Sequence, residues 1–196
     1  MTAFWYISRA TGIVAFLLLT AVFVLGIAVR GKSRLPGLPR FATAELHRNI
    51  SLLAVVFVAV HVLTAVLDSY VHIPLLAAVV PFTSGYERLW LGVGAVACDL
   101  MLAMIVTSLL RARLNRVLWR AIHLTAYLCW PVALVHSVFS SEDLRQFPMM
   151  FIALASVVLI IAAVAWRVVR ASRQQPGADR VTTLLDTARE PERAAR

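Results

Sequence analysis

The sequence predicts an all-α integral membrane protein, a bundle of five transmembrane helices. Of its 196 residues, 61% are hydrophobic and only 15% charged, and the mean hydropathy is +0.82, well outside the range of an ordinary soluble domain. The apolar residues fall into five runs, each near or above the roughly 20 residues that cross the hydrocarbon core as a helix. The basic residues gather at alternate ends of these runs, the pattern left by successive crossings in opposite directions. A backbone in lipid must satisfy its own hydrogen bonds, so the runs are read as helices.

The first span is Phe4 to Val29. Its apolar stretch from Ala10 to Val29 is longer than a signal-peptide core and no small-residue cleavage site follows, so it is kept as a membrane helix. The second runs from Thr43 to Tyr70, the third from Arg88 to Leu110, the fourth from Arg116 to Phe139 and the fifth from Pro148 to Val169. Between the second and third, Val71 to Gly85 carries Pro74 and Pro81 around Leu75 to Val80 and is too short for a sixth crossing, so it is expected to lie as a cap on the membrane surface. No repeat or internal linker divides residues 1–170, which are read as one membrane domain. Residues 171–196 turn polar, with Pro176, Gly177 and Pro191, and are expected to form a disordered tail in which Val181 to Ala188 is a candidate short helix for a partner.

A net charge of +9 raises the question of nucleic acid, but the distribution answers it. Arg30, Lys32, Arg34, Arg40 and Arg48 surround the first connection, Arg111, Arg113, Arg116 and Arg120 the third, and Arg167, Arg170 and Arg173 follow the last span. By the positive-inside rule these mark the cytoplasmic face of the cell membrane, with the N-terminus outside and the C-terminus inside. The opposite connections agree: Val71 to Glu87 holds one His and no Lys or Arg, and Ser140 to Phe147 sets Glu142 and Asp143 against Arg145. The charge is a topology signal, and the lipid bilayer rather than nucleic acid is the partner it implies.

The chemistry sits in the histidines. His47 and His61 stand fourteen residues apart on the second span, and His123 and His136 thirteen apart on the fourth. Both spans start at the cytoplasmic side, so they are parallel, and depth pairs His47 with His123 and His61 with His136. An imidazole in a lipid-spanning helix needs a partner. For a single histidine that partner is often a neighbouring helix, whereas two pairs at matched depth suit a bound metal or cofactor. At 1.5 Å per residue the levels lie about 20 Å apart, which fits two bis-histidine b-type haems held between parallel helices 2 and 4. Two axial imidazoles leave no open ligand position and suit electron transfer, while zinc would need more compact ligand groups. The other ring N–H of each ligand is expected to find a backbone carbonyl one turn away and so fix the tautomer. An ideal helix returns to within about 40° of its starting face after fourteen residues but is about 140° away after thirteen. The fourth span therefore must depart from ideal winding, and Pro131 is the expected cause.

The double spacing, with the local strings HRNISLLAVVFVAVH and WRAIHLTAYLCWPVALVH, resembles the ferric reductase-like transmembrane domain superfamily across roughly Trp5 to Trp166. That group comprises the haem-bearing cores of ferric reductases and NADPH oxidases and the haem subunit of methionine sulfoxide reductase. The resemblance implies a transmembrane cytochrome b that passes electrons through haem b to an outer-facing acceptor, which is ferric iron, oxygen or a periplasmic redox protein. The full reductases carry a cytoplasmic FAD and NADPH domain, and nothing here outside the membrane is large enough to fold into one. Electrons are therefore expected from a separate flavoprotein or quinol, and whether the chain is itself an oxidoreductase or an electron-transfer subunit stays open. The competing class is a non-haem transporter or scaffold using the histidines and Asp99 as a polar path.

Further residues carry two readings each. Arg48 and Arg120 adjoin or neighbour the inner ligands and could hold haem propionates, or simply anchor the cytoplasmic face. Arg9, at the outer end of the first span, is a candidate for an outer propionate or a snorkelling cation. Asp99, in mid-span, is a possible proton relay or a hydrogen-bond partner for a neighbouring helix. Trp119, Tyr127, Trp130 and Phe139 could flank porphyrin or pack as aromatics. Gly12 and Gly26 allow close approach of porphyrin or helix. His72 is read as solvent-facing, and Cys98 and Cys129 as reduced packing residues with no CxxCH motif for covalent haem.

Overall fold

A computed structural model describes residues 2–30, 39–140 and 147–174. Its elements are the helices α1 (Ala3–Arg30), α2 (Arg40–Leu67), α3 (Arg88–Leu109), α4 (Arg116–Leu124), α5 (Ala126–Phe139) and α6 (Phe147–Gln174), with a single 3-10 turn at Leu75–Ala78. No strand occurs among the described residues. Five stretches are long and apolar enough to cross a membrane, with α4 and α5 together forming the fourth. The five-span expectation holds, with bounds displaced by a few residues. Most of the expected tail, residues 175–196, lies outside the described residues, as do positions 31–38 with Lys32 and Arg34, and positions 141–146 with the outer-loop acids.

Two displacements have local causes. Helix α2 stops at Leu67 rather than Tyr70 because Asp68 turns extended, with φ −70 and ψ 123. Its carboxylate accepts the Tyr70 N–H at 3.0 Å and the Thr2 hydroxyl at 2.7 Å, tying the start of α1 to the end of α2. The fourth crossing breaks at Thr125, whose φ −63 and ψ −12 separate α4 from α5, while Pro131 sits within α5. The winding change thus lies six residues before the proline that the sequence pointed to. Thr125 N–H donates to the Ile122 carbonyl at 3.0 Å, its hydroxyl donates to the same oxygen at 2.7 Å, and Leu128 N–H closes on the Thr125 carbonyl at 2.9 Å. These three-residue closures overwind the chain. Each residue wound at 3.0 rather than 3.6 per turn adds about 20°, in the direction that reduces the thirteen-residue mismatch.

The helices form two antiparallel hairpins. Helix α1 packs along α2, α3 packs along α5, and α6 lies against α1 and α5. The backbones of α2 and α5 stay more than 8 Å apart between Cα atoms, so the hairpins enclose a space that only side chains reach across. They are joined near mid-bundle by aromatic packing: Phe16 of α1 stacks on Trp130 of α5 with ring centres 5.8 Å apart, and Phe23 meets Tyr127 edge-on at 5.2 Å. Trp130 Nε1 donates to Thr20 Oγ1 at 3.0 Å, which satisfies the one polar atom of a buried indole. Ile160 of α6 completes this core.

The α2–α3 connection caps one end without crossing. Its 3-10 turn packs on α2 and α3 with Ala77 buried. Phe82, at φ 64, lays its ring where a side chain on Gly92 would stand, so glycine is required there.

Asp68 lies outside the spanning segments. The Tyr70 N–H, and then the Thr2 hydroxyl, hold its carboxyl below the ordinary carboxylate range. Its charged form is favoured by folding, so the stability it contributes is present above the unfolded-state value and is lost as pH falls through the lower folded value. Asp68→Asn should lower the Tm of the detergent-solubilised protein at neutral pH, and the gap from wild type should close as pH falls below about 4.

Candidate functional site

A cavity of about 700 Å³ opens between the hairpins, within the roughly 300–1,000 Å³ usual for cofactor pockets. Its walls are mainly apolar, from Ile13, Phe16, Leu19, Val58, Leu91 and Ala133, and its two imidazoles are His61 of α2 and His136 of α5. The rings face one another with centres 6.3 Å apart and planes at 73°. The pairing expected from depth is therefore the pairing found at this level.

Each imidazole is seated on the helix paired with its own. His61 Nδ1 lies 2.7 Å from the Ser8 carbonyl of α1, and the Ser8 hydroxyl donates back to the His61 carbonyl at 3.1 Å. His136 Nδ1 lies 2.8 Å from the Trp90 carbonyl of α3, and His47 Nδ1 lies 3.1 Å from the Val22 carbonyl of α1. A carbonyl oxygen only accepts, so each Nδ1 carries the proton and each Nε2 keeps a lone pair. The acceptors sit on the neighbouring helix rather than one turn away on the same helix, which corrects the sequence expectation.

Glycine explains how the rings get there. Each accepting carbonyl lies four residues before a glycine: Ser8 before Gly12, Val22 before Gly26 and Trp90 before Gly94. A Cβ on Gly12 would stand 2.8 Å from His61 Nδ1, one on Gly94 would stand 2.6 Å from His136 Nδ1, and one on Gly26 would stand 3.4 Å from His47 Cε1. The bare backbone lets an imidazole reach a carbonyl already engaged in the helix. Gly12 and Gly26 admit histidine, not only a helix or a porphyrin. Their spacing of fourteen equals that of His47 and His61, a match visible in the sequence. Gly94 and the accepting carbonyls carried no such signal.

At the second level, His123 stacks on Trp119 with ring centres 4.9 Å apart and planes at 19°, and the Arg111 guanidinium covers the same indole at 4.7 Å. His123 Nδ1 and Trp119 Nε1 are buried with no hydrogen-bond partner among the described residues.

The stretch holding the glycines and three of these histidines, residues 11–134, matches the model of the family described as Ferric reductase like transmembrane component. The chain belongs to this family. Ferric reductase-like transmembrane domains generally bind haem, and membership gives the chain a transmembrane redox role. His136 lies two residues beyond the matched stretch. The comparisons with curated proteins and with solved structures returned no match.

Within this ferric reductase-like bundle the other candidates separate. Arg9 lines the cavity, its guanidinium 4.1 Å from the centre of the Trp5 ring. Arg48 is exposed and turned to Glu45 at 3.6 Å, and Arg120 is exposed; neither reaches this cavity. Asp99 is half-buried on α3 and does not line the cavity, although Cys98 and Met101 do. Phe139 stacks on Trp90 at 4.5 Å, while Trp130 and Tyr127 pack on α1. Both cysteines are free, with Cys129 Sγ donating to the Ala97 carbonyl at 3.5 Å, and His72 is exposed. Among the described residues no three His, Cys, Asp or Glu side chains converge on one point.

Replacing glycine by alanine inside a helix ordinarily adds about 1 kcal/mol of stability. Gly12→Ala and Gly94→Ala should instead lower the Tm in detergent, because the new Cβ overlaps a seated imidazole and the displaced ring loses its hydrogen bond and leaves a buried N–H unpaired, together costing about 2–4 kcal/mol. Gly26→Ala, whose Cβ would meet His47 Cε1 at 3.4 Å, in ordinary van der Waals contact, should leave Tm unchanged or raise it.

Proposed function

We propose that this chain is a transmembrane b-type cytochrome. It carries two haems, one between His61 and His136 and one between His47 and His123, and moves electrons from a separate flavoprotein or quinol to an acceptor on the opposite face. That acceptor is ferric iron, oxygen or a periplasmic redox protein. The chain lies in the cell membrane with its N-terminus outside, the orientation favoured by the basic clusters.

The observation that carries this reading is the opposed pair His61 and His136. Imidazoles bound on opposite sides of one metal ion through bonds of about 2 Å have ring centres about 6 Å apart, and these stand at 6.3 Å. Both Nδ1 protons are committed to carbonyls, so both lone pairs are free for the metal. When bound, haem would supply a one-electron carrier, held by the His61 and His136 imidazoles.

The chain's own groups do the rest. The Ser8 and Trp90 carbonyls hold the ligand rings in one tautomer and one orientation, and strengthen nitrogen donation by accepting the other N–H. The apolar cavity walls keep water from the site. Arg9 is suited to pair with a propionate carboxylate at the mouth of the His61 level. For the His47 level Arg48 and Arg120 are the proposed counterparts, both exposed, with Arg48 exchanging its surface ion pair with Glu45 for an acid. Asp99 stands apart from the histidine-lined space, which weighs against a continuous polar path and so against a transporter.

The test is a dithionite-reduced minus oxidised spectrum of the detergent-purified protein, with haem extracted and counted. Two haems b per chain support the reading. His61→Ala and His136→Ala should each remove about one haem, or convert it to a five-coordinate species, while sparing the other. No haem after expression with ample haem supply would overturn the cytochrome and promote the transporter or scaffold. Reduction of ferric chelates or oxidation of quinols, with and without candidate flavoproteins, then separates an enzyme from an electron-transfer subunit.

A further inference from the structure

Three of the four histidines share one seat, and the fourth does not have it. His61, His136 and His47 each place Nδ1 on the carbonyl four residues before a glycine. On α1 the two glycines stand fourteen residues apart. On α3 the positions thirteen and fourteen beyond Gly94 are Thr107 and Ser108, so both carry a Cβ. The carbonyls four residues before them, Ala103 and Met104, already accept the Thr107 hydroxyl at 2.7 and 3.3 Å. The place where a fourth seat would fall is filled by side chain and hydroxyl, and His123 Nδ1 is buried without an acceptor. Its ring stacks face-on against the Trp119 indole, which the Arg111 guanidinium also covers.

The partner of a ligating imidazole's second nitrogen both orients the ring and raises its basicity, and removing such a partner typically weakens metal binding by about 10–100-fold. Resting on the bis-histidine reading above, we infer that the two levels are chemically unequal: His123 is an exchangeable ligand, and the His47/His123 level is a binding site for small neutral diatomic ligands, while the His61/His136 level is closed to them. The exchange is a ligand substitution at ferrous iron. The bond from His123 Nε2 to the iron breaks, a bond from the entering ligand forms, His123 stays neutral, and no electron or proton is transferred. His47, seated on Val22, keeps the opposite position.

Carbon monoxide is the probe. The full chain is purified in detergent, its haem counted, reduced with dithionite and titrated with carbon monoxide while the Soret band is followed. With two haems present, about half of the total should form the carbon monoxide complex. The double variant Thr107→Val, Ser108→Gly, which clears the competing hydroxyl and the Cβ, should lower that fraction several-fold. In His123→Ala the reactive fraction should keep the wild-type band position if the haem is retained, or disappear with the haem if it is not. Reaction of both haems or of neither in the wild type would overturn the inference. So would a His123→Ala protein in which both haems react, or in which the one remaining haem reacts, since either puts the wild-type reaction at the other level. Haem confined to the His61/His136 level would overturn it too. A haem count of zero is a failure of the cytochrome reading itself, and the count taken before the titration tells the two apart.

Discussion

A buried imidazole N–H inside a lipid-spanning bundle has almost nothing to bond to, because every helix carbonyl is already taken by its own helix and no water is at hand. The arrangement of this protein follows from how that constraint is met. A carbonyl can accept a second hydrogen bond only if the ring can reach it, and the side chain one turn on normally stands in the way. Glycine at that position removes the obstacle. The helix that bears a histidine must therefore pack tightly on a helix that bears a glycine, which pairs α2 with α1 and α5 with α3.

The pairing leaves α2 and α5 apart and turns both histidine faces into the space between them. That space is bounded toward mid-bundle by Phe16, Trp130, Phe23 and Tyr127, which pack in a continuous aromatic layer between α1 and α5. The layer falls between the two histidine levels, since Phe16 and Phe23 lie between Gly12 and Gly26, and Tyr127 and Trp130 between His123 and His136. Thr20 is the polar concession in it, satisfying the Trp130 indole. The same hairpins thus seat three of the histidines and carry the packing between their levels.

The spans and the depth pairing were legible in the sequence because apolar run length and rise per residue are properties of the helix, independent of neighbours. The His61–His136 pairing follows from those alone, once alternate crossings make the second and fourth spans parallel. Less could be read where the cause is a backbone atom. A backbone carbonyl is present at every residue, so those of Ser8, Val22 and Trp90 leave no mark in the sequence, which offers a carbonyl one turn away equally well. Thr125 is an ordinary helix residue until its hydroxyl and N–H share the Ile122 carbonyl, whereas Pro131 is a visible helix breaker. The apolar run carried the second span on to Tyr70, past Asp68, whose bonds to Thr2 and Tyr70 accompany the end of α2 at Leu67. Of the arginines, Arg9 lines the cavity, while Arg48 is turned to Glu45; side-chain reach, not position, decides between these.

The most direct measurement is the low-temperature electron paramagnetic resonance spectrum of the oxidised protein, taken on His47→Ala so that the His61/His136 level is isolated. With His61 and His136 both bound to iron, ring planes at 73° would leave the two iron orbitals that point between them nearly equal in energy and spread the g-values widely. The expected result is a low-spin ferric signal of that strongly anisotropic kind, a single feature far to low field, whether or not the altered level keeps a five-coordinate, high-spin haem. A three-line rhombic signal would mean parallel rings, and high-spin iron with no low-spin signal would mean that His61 and His136 do not both bind the iron; either contradicts the site described.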